Sequence, residues 1–382
     1  MEKVLEKMKI DLRIRGFTNR ELGSRLGVSH TTIQNYYSGN CDFLHFLQML
    51  RLQYPDSIKM RRRVVEEALP NLSLMNQRTA LEALDLFGEF DLLEKLILKI
   101  ESSDSNTRSS KLNKQLSSVY KLLPRRFQND YNKKEFLDSV ESLKKSYKLT
   151  SNDATLTNII IEFALLYAYL DYGDFKMVSY YNDELTPLIT NINKDTLSGS
   201  LLLRNKEMEA TILHHDNKLA KSREVCLDII NDSRNPYVYM KGVAYSILGE
   251  TYILDPNNFE NAKNYFEHAI ECVDVPCNIK AVHRKEMFQT NLDFLRISQE
   301  KELELVAPKD ISEQAHLFAK TGKGKLAVEL LDYIEKNKGY LNSFEKLYKG
   351  IATGKKDYFL ESYNSFRASG DKFYLQLPLQ YL

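Results

Sequence analysis

From residue 155 to the C-terminus one unit recurs: an apolar segment, a short turn rich in Gly, Asp or Asn, and a second segment with aromatic and small residues at the helical period. No stretch alternates polar and apolar residues as a half-buried strand must. A chain with this pattern buries its apolar side chains by stacking helix on helix. The turns fall at Gly173-Asp174, Asp216-Asn217, Pro256-Asn257, Gly322 and Gly354, at spacings of about 43, 40, 66 and 32 residues. The wide interval leaves room for an extra helical element around Cys277 to Glu304.

That spacing is close to the roughly 34-residue period of tetratricopeptide-type repeats. The clearest second helix is Ala262-Lys-Asn-Tyr265-Phe266-Glu-His-Ala269-Ile270, where alanines allow close approach and aromatics fill the next gap. With no Trp but 23 Tyr and 18 Phe, the composition suits helices packed through medium-sized aromatics. The expected fold is all-α, a helical solenoid whose concave surface suits an extended peptide or a partner helix.

The N-terminal part carries a different pattern. Across residues 16–39, Phe17, Leu22, Leu26, Val28, Ile33 and Tyr36 fit two short helices sharing one small core, a helix-turn-helix. Gly23 sits where the helices approach most closely, and Gly27 supplies the sharp turn. Ser29 is placed as N-cap of the second helix, serving the amide of Thr31 or Thr32. That helix turns Ser29, His30, Thr31, Gln34 and Asn35 outward. Gln and Asn suit adenine, Ser and Thr suit several base edges, and the absence of arginine argues against bidentate guanine readout. Phosphate contacts then fall to Lys3, Lys7, Lys9, Arg13, Arg15, Arg20 and Arg25. Residues 1–63 hold 12 Lys or Arg against six Asp or Glu, so this unit is basic while the whole chain carries only +1. Charge is therefore concentrated where the motif lies.

At 382 residues the chain exceeds one compact core. The expected division is a helix-turn-helix head over 1–70, a helical linker region over 71–115, and a solenoid over 116–382 for peptide binding and dimerisation. In the head, helices are expected over Phe43 to Tyr54 and Ser57 to about Leu69. The Arg61-Arg62-Arg63 run can serve as a phosphate contact, a solvated face or a brace. Further helices fit Asn76 to Phe87 and Asp91 to Glu101, and the polar run 102–110 reads as a loop.

The apolar stretch Ile159 to Leu170 is interrupted by Glu162 and too short to span a bilayer, so a cytoplasmic protein without membrane contact is expected. Cys41, Cys226, Cys272 and Cys277 are too few and scattered for a disulfide scaffold or a zinc site and read as buried thiols. His214 and His215 are adjacent, so they face different ways and read as a surface pair. No phosphate loop, nucleophile elbow or zinc helix occurs, so neither enzymatic activity nor a cofactor is expected.

A helix-turn-helix head joined to a tetratricopeptide-like body resembles the peptide-pheromone receptors of Gram-positive bacteria and their phages. Within them the sequence is most similar to the arbitrium receptors of Bacillus phages, the AimR family. Three stretches carry the likeness: Leu52-Gln-Tyr-Pro-Asp56, Tyr245-Ser-Ile-Leu-Gly249-Glu-Thr-Tyr252, and Ser369-Gly-Asp371-Lys-Phe373-Tyr-Leu-Gln-Leu377-Pro378-Leu379. The resemblance implies a homodimeric regulator of a double-stranded DNA operator, controlled by a short signalling peptide and tied to the lysis-lysogeny choice. It places Asp371 opposite a basic side chain of the peptide, a role a carboxylate suits. Capping the segment that begins at Lys372 is the other role open to Asp371.

By position, Thr211, His215 and Gln289 join it as polar contacts. The family carries asparagines where Thr211 and His215 align and a basic residue where Tyr239 aligns, which implies a different peptide. The family's terminal helices help it dimerise, and the sequence ends at Leu382, earlier than that contact implies. Two other functions fit the same residues, a solenoid that sequesters a protein partner and a DNA regulator with no peptide ligand.

Overall fold

The computed structural model describes residues 1–148, 156–190, 192, 196–233, 235–273 and 278–382, and within these it contains helices and no strands. The head consists of α1 (Glu2–Ile14), α2 (Asn19–Leu26), α3 (His30–Asn35), α4 (Phe43–Gln53) and α5 (Ile58–Ala68). The local sequence dictates the motif. Thr18 and Glu21 close a capping box on α2, with Thr18 Oγ1 accepting from Glu21 N at 3.2 Å and Thr18 N donating to Glu21 Oε2 at 2.8 Å. Gly27 ends the helix at φ +69°. Ser29 Oγ then caps α3 by accepting from Thr32 N at 3.0 Å, the second of the two amides expected. Leu22 and Ile33 close the core from the two helices and meet Leu5, Met8 and Leu12 of α1.

The body follows as α6 (Leu74–Leu86), α7 (Phe90–Glu101), α8 (Arg108–Tyr120), α9 (Lys133–Ser146), α10 (Leu156–Tyr172), α11 (Phe175–Thr190), α12 (Thr196–His215) and α13 (Leu219–Asn231). It continues through α14 (Val238–Glu250), α15 (Phe259–Glu271), α16 (Ile279–Gln299), α17 (Ile311–Lys320), α18 (Gly324–Lys338), α19 (Ser343–Thr353), α20 (Lys356–Ser369) and α21 (Gln376–Leu379). All five turns read from the sequence join paired helices: α10 with α11, α12 with α13, α14 with α15, α17 with α18 and α19 with α20. The long α16 fills the wide interval. Close approach within a pair needs small residues, as at Gly249, where an added Cβ would stand 2.9 Å from the Phe266 ring.

Three expectations change. The loop over 102–110 extends only to Thr107, because Thr107 caps α8 by accepting from Ser110 N at 3.2 Å, so Arg108, Ser109 and Ser110 begin a helix. That helix runs across the 115/116 division. His214 is fully buried and His215 nearly so, because both ends of this helical turn are covered by the C-terminal segment, and neither is a surface residue. Cys41 and Cys226 are buried free thiols and Cys272 is half-buried, while Cys277 and Thr155 lie outside the described residues.

The helix α6, within the segment expected to link head and body, is enclosed from Thr79 to Leu86. Asn76 ties it to the head, donating to Cys41 O at 2.8 Å and accepting from Phe43 N at 3.2 Å. On its other side Arg204 of α12 makes a fork onto Glu82, at 3.0 and 2.8 Å, and reaches Asp85 at 2.8 Å. Tyr120 of α8 donates to Glu82 at 2.6 Å, and Tyr167 of α10 accepts from Arg204 at 3.2 Å. One buried guanidinium thus ties four helices. Burial works against its charge, but Glu82, Tyr167 and Asp85 more than offset this and hold it protonated.

Removing one member of such a network strands buried opposite charges, at a cost of about 3–5 kcal/mol. Arg204→Met should lower stability by that order in urea unfolding, and adding Glu82→Gln should recover part of the loss. A loss under about 1 kcal/mol in the single variant would show that the network does not hold the layer together.

Candidate functional site

Two surfaces carry candidate chemistry. The first is the outer face of α3. Arg20, Arg25, Ser29, His30, Thr31, Gln34 and Asn35 are all exposed. The helix is brought to a fixed angle by Gly23, where a Cβ would stand 2.6 Å from Val28 O. Ser29 spends its hydroxyl on the cap and lies 2.8 Å from Thr32 Oγ1, so it positions the helix as much as it faces outward. The Arg25 guanidinium packs 5.3 Å from the Phe17 ring centroid, keeping its charge beside the turn. The Arg61-Arg62-Arg63 run is mainly a brace. Arg61 donates to Tyr54 O and Pro55 O, both at 2.7 Å, Arg62 bonds Glu89 and Asp91 of the body, and Arg63 pairs with Glu67 on its own helix.

The second surface is built from α12, α14 and α16, each of which presents one residue per turn to a shared face. On α12 these are Arg204, Glu207, Thr211 and His215. On α14 they are Tyr239, Val243, Ser246 and Glu250, and on α16 Lys280, Arg284, Met287 and Asn291. The register is fixed by contacts at both ends. Arg284 approaches Glu207 to 3.8 Å, while Asn291 Nδ2 donates to Glu250 Oε1 at 2.8 Å and Ser246 Oγ at 3.0 Å.

At the Glu250 end the face opens into a cavity of about 350 Å³ walled by Asn291, Phe294, Glu313, Phe344 and Tyr374 among others. Glu250, Asp310, Glu313 and Glu345 line it against one cation, Lys338, which Glu345 already engages at 2.9 Å. Burial pushes the Glu250 carboxyl up to about 7, with His215 and Ser246 opposing the shift and Asp371 adding to it. His214 lies 3.7 Å from Glu250 but supplies no counter-charge, because burial drives its imidazole well below the usual range, helped by His215. Its Nε2 is buried and has no hydrogen-bond partner among the described residues.

The C-terminal segment closes one wall. The His215 carbonyl accepts from Lys372 N at 2.8 Å and Phe373 N at 3.2 Å. Asp371 is buried, and its Oδ1 accepts from Tyr374 N at 3.0 Å, the capping role. Its Oδ2 lies 3.1 Å from His215 Nδ1, too poorly aligned for a hydrogen bond, and the His215 ring stacks on Phe175 at 3.5 Å between centroids. Burial, then Glu250 and Asp371, raise the Tyr374 phenol well above its ordinary value.

The structure therefore brings His215 and Asp371 together beside the cavity, with Thr211 one turn along α12. Thr211 Oγ1 bonds back to Glu207 O at 3.0 Å. Tyr239 stands at the other end of the face, 3.3 Å from Asn278 Oδ1. Gln289 is exposed and donates to Asp293 at 3.0 Å, while Asn291, two residues on, reaches the cavity. Glu250, Asn291 and Glu313 are the residues that sequence reasoning missed. A signal for Glu250 exists in the run Tyr239, Val243, Ser246, Glu250, which places a carboxylate on the face of α14 that carries Tyr239.

No group of three His, Cys, Asp or Glu among the described residues is placed to hold a metal ion, and no described helix is long and apolar enough to cross a membrane.

The family described as AimR transcriptional regulator-like matches residues 65–382. The AimR transcriptional regulator of Bacillus phage SPbeta is 26% identical over 361 residues, covering 88% of this chain and 83% of that protein. The AimR transcriptional regulator of Bacillus phage phi3T is 24% identical over 341 residues, covering 87% and 83%. Among solved structures, ligand-bound phAimR superposes with a TM-score of 0.73 at 22% identity, over 88% of this chain and 95% of that one. A selenomethionine form of phAimR gives 0.64 at 21% identity over 99% and 96%. The match over most of the sequence and the shared helical fold establish that this chain belongs to the AimR family of transcriptional regulators.

Proposed function

We propose that this regulator binds operator DNA through α3 as one half of a homodimer, and that a short peptide bearing a basic side chain controls it from the cavity beside Glu250 and Asp371. The observation that carries the peptide reading is the excess of carboxylates around that cavity. Glu313 and Glu345 are buried, Glu250 is half-buried and Asp310 is exposed, and the one lysine present is already paired with Glu345. Glu250 has only the neutral Ser246 and Asn291 as hydrogen-bond partners, and a guanidinium offers both the charge and the hydrogen-bond fork that a carboxylate matches. The ligand-bound relative supports a binding site in this fold. Thr211 and Asn291 supply neutral polar groups for the peptide backbone, His215 and Asp371 hold the wall, and Tyr239 marks the far end of the face.

The head supports DNA binding by its exposed polar face and basic flank. Gln34, Asn35, Thr31 and His30 face base edges, and Arg20 and Arg25 face phosphate. A two-fold dimer then reads two half-sites in successive major grooves. A solenoid that only sequesters a protein would bind DNA without the steep salt dependence that phosphate contacts impose.

In gel shifts on an operator obtained by in vitro selection, Arg20→Ala and Arg25→Ala should each weaken binding on all sequences and shallow the log-log salt slope by about one. Gln34→Ala or Asn35→Ala should instead cost about 1–3 kcal/mol of discrimination at one base pair. Equal effects on cognate and random DNA from all four variants would remove the base-reading role of α3.

The acidic cavity gives a pH signature. Glu250 is raised to about 7, so it is mostly protonated at pH 6 and mostly ionised at pH 8. A cationic ligand favours the ionised form, so its affinity should rise across that window. The groups facing Glu250 are His214 and His215 from α12, Asp371 and Tyr374 from the C-terminal segment, and the uncharged Asn291 from α16. Calorimetry with a pool of short arginine-containing peptides should show tighter binding at pH 8 than at pH 6, and Glu250→Gln should flatten the trend. Unchanged pH dependence in that variant would assign it to another group.

A further inference from the structure

Where the head meets the body, the packing leaves a cleft of about 480 Å³. Its walls are apolar on both sides: Leu47 of α4 and Ile58 and Val65 of α5 come from the head, and Leu84 of α6, Leu92 of α7 and Val238 of α14 come from the body. Packed protein interiors hold few voids larger than a water molecule. This cleft opens to solvent, since Val238 at its edge is 40% exposed, and water against so much apolar wall is unfavourable. An apolar cavity of about 150 Å³ takes up benzene, so the cleft has room for roughly 15–18 heavy atoms.

The charged groups on its rim are not equivalent. Arg62 is engaged by Glu89 and Asp91, and Arg51 donates to Pro236 O at 2.8 Å with its guanidinium 4.6 Å from the Phe87 ring centroid. Arg61 is half-buried and spends only Nη1, on the carbonyls of Tyr54 and Pro55, both at 2.7 Å. No described carboxylate pairs with it, because Glu89 and Asp91 go to Arg62 and Glu67 goes to Arg63. Its Nε and Nη2 are left for a ligand. Asp56, the remaining charged group on the rim, is exposed, so water screens it. One guanidinium with donors to spare, beside an apolar space of this size, matches a molecule with one carboxylate and an apolar body.

We propose that this cleft is a second ligand site, for a small amphipathic monocarboxylate such as a fatty acid or an arylcarboxylate, with its carboxylate on Arg61 and its body between Val65 and Val238. The site is independent of the peptide reading, and its test uses no peptide. Because its walls belong to the head and the body, a bound molecule bridges the two. It adds an apolar contact to the ties that already cross this junction, Arg62 with Glu89 and Asp91, and Lys95 with Glu66. Binding to the assembled junction alone stabilises it by mass action, so the ligand raises the midpoint of thermal unfolding.

The test uses the full chain, with dodecanoate and 4-phenylbenzoate as the acids and dodecanol and 4-phenylbenzyl alcohol as their neutral counterparts, each below its aggregation limit and read by calorimetry. At least one acid should bind at one site per chain, at least tenfold tighter than its alcohol, and should raise the unfolding midpoint. The tighter of the two acids tells a chain from a ring as the natural body. Arg61→Gln should bring acid and alcohol within threefold of each other while the alcohol binds as before. Val238→Trp, a substitution at an exposed edge that fills the cleft, should weaken acid and alcohol alike at least tenfold. Equal binding of acid and alcohol to the native protein, or no binding of either acid, overturns the proposal. So does binding that Val238→Trp leaves unchanged, which would place the ligand elsewhere. Should Arg61→Gln not fold, the acid-to-alcohol ratio of the native protein and the Val238→Trp comparison decide together.

Discussion

The arrangement depends on the buried contact between Arg204 and the carboxylates of Glu82 and Asp85. A buried ion pair is weak evidence of net stabilisation, because desolvation offsets much of its attraction. Its effect here is positional. A two-pronged guanidinium fork admits one register of α12 against α6, and that register turns Thr211 and His215 toward α14 and α16. Shifting α12 by one residue would rotate its inner face by about 100° and empty the groove of its polar groups.

The same helix joins the ends of the molecule. Near its N-terminus Thr196 Oγ1 donates to Asp42 of the head at 2.6 Å. At its C-terminus the His215 carbonyl holds the segment that carries Asp371 and Tyr374. Beside it Arg51 of the head donates to Pro236 O, just before α14, at 2.8 Å. A 20-residue helix is about 30 Å of stiff backbone, so a ligand that moves one end has a direct mechanical route to the other. The acidic cavity at the end of the shared face of α12, α14 and α16 is a place where carboxylates outnumber cations, as they often do at binding sites.

What was legible in the sequence was local. The Thr18 capping box, the Gly27 turn and the Ser29 cap are decided by residues three or four apart, so the motif could be read directly. The five repeat turns were legible for the same reason. The loop expected at Arg108 to Ser110 shows the limit, since Thr107 marks a helix start inside a polar run. Features set by distant neighbours stayed hidden. His214 and His215 looked exposed because nothing local indicates that the chain end folds over them. That Asn291 lines the cavity while Gln289 is exposed beside Asp293 depends on how α16 packs, which its own residues do not indicate. Glu250 and Lys280 are ordinary charged residues until burial makes them costly, and burial is a property of the assembled layer.

The central claim is that occupancy of the groove changes the affinity of the head for DNA, which requires the peptide to bind one arrangement of the molecule better than another. The direct measurement is the operator dissociation constant of the full chain, at fixed salt, with and without a saturating short-peptide pool that calorimetry shows to bind. The account predicts a change of at least tenfold, reduced in Glu250→Gln in step with its lost peptide affinity. An operator affinity that stays constant while the groove fills would contradict it.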